Sequence, residues 1–150
     1  MIIINYVPTP NNQYLEQLEL SQAKTEDLVK KSLLQKYKNI VLNLDVLTIA
    51  EMQDLNYKTR GKNCPTNVIS IEYPIEDEYL TGDLFICPEI IIKEAKEQKK
   101  LIPNHCYHMI VHSILHLQGL DHITDADAQY MENLEISILS EFGINNPYHI

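Results

Sequence analysis

The sequence is poor in the features that mark several protein classes. No apolar run approaches the ~18–20 residues of a membrane span. The opening Met1-Ile2-Ile3-Ile4-Asn5-Tyr6 has neither the basic segment nor the apolar stretch of a secretory signal. The cysteines, Cys64, Cys87 and Cys106, are odd in number, far apart and without a CxxC pair. This excludes a disulfide scaffold; buried or incidental thiols in a reducing compartment are expected, with cytoplasm as the location. Internal repeats, low-complexity tracts and Gly/Ser linkers are also missing, so a single domain over residues 1–150 is expected, long enough to bury roughly 70% of its unfolded surface. Arginine is nearly absent. Lys and Arg total 12 against 21 Asp and Glu, a formal charge of −9, and Arg60 is the only arginine. A general cationic coat for nucleic acid is excluded, so a polyanion must be met by a local patch.

The placement of charge says more than its sum. Residues 101–150 hold six acids (Asp121, Asp125, Asp127, Glu132, Glu135, Glu141) and no Lys or Arg, whereas residues 55–71 hold Lys58, Arg60 and Lys62 and no acid. A second basic cluster is Lys93, Lys96, Lys99 and Lys100, broken by Glu94 and Glu97. Both clusters fit a solvated surface, but Arg60 is a planar, permanently charged fork suited to phosphate or carboxylate.

Hydrophobic spacing predicts an α+β chain. Strands are expected at Ile2–Val7 (bounded by Pro8 and Pro10), Ile40–Ile49, Thr66–Glu72 and Leu84–Cys87. Helices are expected from Thr25 through Leu34, over Ala50–Leu55, from Pro88 to about Lys100 and from Pro103 to Gly119. A last one, opened by Thr124 and Asp127, places Met131, Leu134, Ile138 and Phe142 on one face and stops at Gly143. Residues 56–65 read as a basic loop. Strands dominate the first 90 residues and helices the last 60, which is an α+β domain with about five helices.

Five of the six histidines fall between positions 105 and 122. At about 100° per residue, His105, His108, His112, His116 and Gly119 share a sector of about 80°. Tyr107, Ile110, Ile114 and Leu117 take the opposite side, which belongs to the core. Zinc holds imidazole nitrogens at about 2.0–2.1 Å, so its ligands must converge. His112 and His116 do so from adjacent turns; adding His108 would stretch the set over about 12 Å of axis. The third ligand therefore comes from beyond the helix, where Gly119 lets the chain turn back toward His122. The resulting HxxxHxxGxxH supplies three neutral imidazoles and leaves a fourth position open, the pattern of a catalytic zinc site. His105 and His108 are read as cleft-lining or hydrogen-bonding residues, and His149 as part of the tail. Asp121 either orients a histidine or caps its turn. The spacing equals that of the metzincin proteases, but Ser113 replaces their glutamate base, which argues against peptide hydrolysis.

The string His112-Ser-Ile-Leu-His116-Leu-Gln-Gly119-Leu-Asp-His122 resembles the signature of the YbeY family of bacterial endoribonucleases and rRNA maturation factors. Leu55-Asn-Tyr-Lys-Thr-Arg60-Gly-Lys-Asn-Cys-Pro65-Thr-Asn-Val-Ile-Ser70 resembles its basic loop and following strand, Gly82-Asp-Leu-Phe-Ile-Cys87 its next strand, and Phe142-Gly-Ile-Asn-Asn-Pro-Tyr148 its tail. The chain departs from the family pattern at Thr59, Asn67, Ile71-Glu72 and Leu120, none of which removes a metal ligand or the arginine. The resemblance implies a four-stranded mixed sheet, zinc (one per chain) on His112, His116 and His122, and Arg60 as the functional cation. It implies zinc-dependent, single-strand-specific endoribonuclease action in 16S rRNA 3′-end maturation and ribosome quality control. The partners implied are single-stranded rRNA and the ribosomal small subunit or its assembly factors, with no membrane and no DNA. Three imidazoles also accept nickel or another transition metal. Two alternatives stay open: a non-catalytic, metal-stabilised ribosome-assembly factor, and a peptidase-like metallohydrolase of another substrate.

Overall fold

The computed structural model describes residues 1–7 and 13–149; Pro8 and Pro10, expected to bound the first strand, lie outside them. In chain order come β1 (Ile2–Val7), a single 3-10 turn (Leu15–Leu18), α1 (Gln22–Lys31), β2 (Asn39–Val46), α2 (Ile49–Arg60), β3 (Val68–Glu72), β4 (Tyr79–Ile86), α3 (Pro88–Glu97), α4 (Ile102–Leu117) and α5 (Asp125–Ser140). The strands form one mixed sheet in the order β1-β2-β4-β3, with β1/β2 and β2/β4 parallel and β3/β4 antiparallel. This is the expected α+β class, with five helices and four strands among the described residues.

Several boundaries differ from those expected, each for a physical reason. α1 starts before Thr25 because Ser21 caps it, accepting the Lys24 N–H at 3.0 Å. β2 ends at Val46 because Thr48 and Glu51 form a capping box that starts α2. That helix then runs past Leu55 to Arg60, where Gly61 closes it at φ 71°. Residues 56–60 are therefore helix rather than loop, and Arg60 sits on a rigid final turn. The buried Asn56 folds the following loop back by donating to the Cys64 carbonyl at 2.8 Å. β4 begins at Tyr79 rather than Leu84. Leu80, Gly82, Leu84 and Ile86 alternate inward, but a glycine inside a strand conceals that period. Packing favours the glycine: a Cβ at position 82 would stand 2.7 Å from Leu117 Cδ1.

One sheet face packs on α1 and α4 through Leu42, Leu44, Leu84, Leu28, Ile110 and Ile114, among others. α2 covers the β3/β4 end of the other face, with Met52 against Ile69 and Cys87. α4 is the central helix, touching α1, α3, α5, β3 and β4, which explains why it is buried well beyond the expected apolar side. Its end is pinned by Gln118, whose amide donates to the Ser32 carbonyl at 2.8 Å and accepts from the Leu34 N–H at 2.8 Å. Among the described residues no helix is long and apolar enough to cross a membrane.

Candidate active site

α4 carries His112 and His116 on adjacent turns, with ring centroids 6.4 Å apart and planes within 13° of parallel. Past its last residue, Gly119 adopts φ 100°, a left-handed geometry that reverses the chain. His122 thereby returns to a ring-centroid distance of 5.5 Å from His112. Three imidazoles bound to one tetrahedral ion place their centroids about 5 Å apart; the His112/His122 pair stands near that spacing and the His112/His116 pair stands wider. Among the described residues, no three His, Cys, Asp or Glu side chains already stand at coordinating separations.

The donor chemistry also fits a metal. His116 Nδ1 donates to the Leu120 carbonyl at 2.8 Å, and His112 Nδ1 donates to Glu135 Oε2 at 3.0 Å. With Nδ1 occupied as a donor, Nε2 is the ring atom left to face a cation; in His116 it stands 3.0 Å from Glu72 Oε1. Asp121 Oδ1 accepts the His122 backbone N–H at 2.7 Å and stands 4.0 Å from the His122 ring; of the two roles open to it, the structure gives it the turn. Ser113 is buried and donates to the Met109 carbonyl at 2.8 Å, turned away from any role as base.

The three histidines open onto a cleft of about 1090 Å³ that Arg60, Lys99, Lys100, His105 and His108 also line. Arg60 is exposed and has no ion-pair partner among the described residues. Lys58, by contrast, is neutralised by Asp54 at 2.8 Å. Of the second lysine cluster, Lys99 and Lys100 line the cleft while Lys93 and Lys96 do not. Glu94 faces the same space and accepts from His105 Nε2 at 3.0 Å and from Asn67 at 2.9 Å. His149 reaches the cleft from the tail. The cleft thus has mixed charge, with one free guanidinium and the imidazoles in the same lining.

The family model for Endoribonuclease YbeY matches residues 10–143. The chain belongs to the YbeY family. Curated relatives named Endoribonuclease YbeY include one from Alteromonas mediterranea, 51% identical over 102 residues, covering 66% of this chain and 65% of that protein. Another, from Vesicomyosocius okutanii, is 54% identical over 102 residues, covering 66% and 70%. One from Francisella philomiragia is 43% identical over 114 residues, covering 71% and 72%. The solution structure of TM1509 from Thermotoga maritima matches with a TM-score of 0.55 at 25% identity, covering 100% of this chain and 97% of that one. Membership places the chain among nucleases, hydrolases that cleave phosphodiester bonds.

Sequence reasoning missed a residue at the centre of this YbeY-family site. Glu135 of α5 is 1% exposed and accepts hydrogen bonds from His108, His112 and Tyr148. Burial alone would raise its carboxyl, but those three donors and the nearby His108 bring it down to about 2. His108 is held below its ordinary value, chiefly by burial, despite the carboxylate beside it. One signal was present in the sequence: Glu135 shares the buried face of α5 with Met131, Ile138 and Leu139. An acid at a core position needs a partner to be stable there.

Proposed function

We propose that this chain is a zinc-dependent endoribonuclease that cleaves single-stranded RNA in the cleft beside α4, acting on the 3′ end of small-subunit (16S) rRNA. One observation carries the reading. His112 and His116, with Nδ1 fixed by Glu135 and the Leu120 carbonyl, share a cleft with His122 and with a single unpaired arginine. His112, His116 and His122 would hold the metal, which supplies Lewis acidity toward a phosphate oxygen and lowers the pKa of water.

The remaining chemistry belongs to the chain. Arg60, fixed by the capped end of α2, offers a two-pronged donor to the scissile phosphate and offsets the charge that develops there. Glu135 holds the His112 ring in the tautomer that faces the cleft. Lys99 and Lys100 line the same cleft, where they would meet the flanking backbone of a strand. On a chain of net charge −9, binding is confined to this channel. The rRNA substrate and the small-subunit partner rest on the family resemblance.

The test is cleavage of single-stranded rRNA fragments by zinc-loaded protein beside His116→Ala and Arg60→Ala. Loss of Arg60 is expected to lower the rate by about 10²–10³-fold without changing the melting temperature, since its side chain is exposed and has no ion-pair partner among the described residues. A wild type that cuts no better than either variant overturns the reading in favour of a non-catalytic assembly factor.

A further inference from the structure

β3 is an outer strand of the sheet, bonded to β4 on one side only. Register decides which of its backbone groups stay open. The Cys87 N–H donates to the Asn67 carbonyl at 2.9 Å, so these two residues form a hydrogen-bonded pair. Such pairs alternate with non-bonded ones along an antiparallel ladder, and the partners continue as Val68 with Ile86, Ile69 with Phe85 and Ser70 with Leu84. Ile69 therefore bonds to β4, whereas Val68 and Ser70 turn their N–H and C=O groups to the outer edge. The far side of β4 agrees: the Ile86 carbonyl accepts from the Leu47 N–H at 2.8 Å and so points away from β3. The Val68 N–H is covered by Asn67 Oδ1 at 2.6 Å. At Ser70 both groups stay open, and among the described residues no hydrogen bond from outside the sheet reaches its backbone or its hydroxyl.

The side chains of β3 show where this edge lies. Ile69 and Ile71 pack under α2, so Val68, Ser70 and Glu72 take the opposite face. On that face Glu72 Oε1 stands 3.0 Å from His116 Nε2, and Ser70 precedes Glu72 by two residues, about 7 Å of strand. Val68 and Ser70 line the cleft together with Arg60, His112 and His116. The open backbone pair thus borders the candidate active site. A peptide strand could also pair with a free edge, but Arg60, Lys99 and Lys100 in the same lining favour a polyanion.

We propose that the Ser70 backbone binds an unpaired nucleobase by its Watson–Crick edge. The N–H donates to an acceptor on the base, and the C=O accepts from the base N–H beside it. An extended residue presents one donor and one acceptor side by side, and each of the four bases carries an adjacent donor and acceptor on that edge. Within a duplex the same edge is spent on the opposite strand, so only single-stranded RNA can offer it. The edge of β3 therefore selects for strandedness and tolerates sequence. This deepens the nuclease reading above and rests on it.

The experiment measures binding of fluorescent uridine and N3-methyluridine octamers to the full chain by anisotropy, with a chelator present to keep the strand intact. Methylation removes the base N–H and leaves the charge and the ribose unchanged. Wild type is expected to bind the methylated strand about tenfold or more weakly. Ser70→Pro replaces the outward N–H by a ring carbon, a change an outer strand tolerates. It is expected to bind both strands with similar low affinity at an unchanged melting temperature, whereas Ser70→Ala keeps the wild-type difference. Should Ser70→Pro fail to fold, the wild-type comparison decides. If wild type binds the two strands equally, or folded Ser70→Pro still separates them, the edge reads no base; the nuclease reading then survives if zinc-loaded wild type cuts the unmodified strand. If wild type neither binds nor cuts it, both readings fall.

Discussion

Replacing Glu135 by glutamine tests how a buried carboxylate supports the candidate ligands. One carboxylate oxygen receives His108 and Tyr148, and the other receives His112. An amide has a single acceptor oxygen. If that oxygen stays with His108 and Tyr148, the new NH₂ faces His112 Nδ1 and forces the ring into the opposite tautomer, with its proton on Nε2. Zinc affinity is then expected to fall about 10–100-fold. The opposite placement of the amide leaves two buried donors facing an NH₂ group, at about 1–3 kcal/mol each. Stability gives a second magnitude. A carboxyl whose pKa falls from 4.5 to about 2 on folding contributes roughly 3 kcal/mol at neutral pH. Because the folded value is depressed, that contribution is complete above about 4.5 and is lost as pH falls toward about 2. Depression of His108 acts with the same sign, since its unfolded form takes up a proton first. Urea unfolding of wild type from pH 7 to pH 3 is therefore expected to lose stability on the acid side, while Glu135→Gln starts lower and has a shallower acid limb. Equal urea midpoints at pH 7, together with wild-type zinc affinity, would refute the reasoning.

Two further outcomes follow from packing. Gly82→Ala places a methyl group 2.7–2.8 Å from both Leu117 methyls, so the buried Leu117 side chain must repack at a cost of roughly 1–3 kcal/mol; calorimetry should show a lower Tm, and an unchanged one would contradict the close approach. Burial lifts the Cys106 thiol to about 12 and also raises Cys87, while Cys64 is exposed. Ellman's reagent at pH 8 should therefore titrate one thiol in the native protein and all three in denaturant.

Much of this was open to local reading. Helical periodicity and a glycine stop are properties of neighbouring residues, so His112, His116 and the return to His122 could be read from spacing alone. The capping signals at Thr124 and Pro88 likewise placed α5 and α3 to within a residue or two at their starts. The boundary errors at β4 and α2 have separate origins. A glycine demanded by a distant leucine broke the strand pattern, and a polar helix end resembled a loop because charged residues are found in both.

What spacing alone determined was the histidine string, the lone arginine and the α+β class, because each depends on contacts between residues near in sequence or on composition. Only the tertiary structure decided which residues from elsewhere join the histidines. The hairpin of β3 and β4 carries Glu72 to His116 across 44 positions, and the docking of α5 on α4 brings Glu135 beneath His112 across 23. The end of α2 delivers Arg60 to the same cleft. Those meetings depend on sheet register and on which helix face is buried, and such long-range geometry leaves no period along the chain to be read.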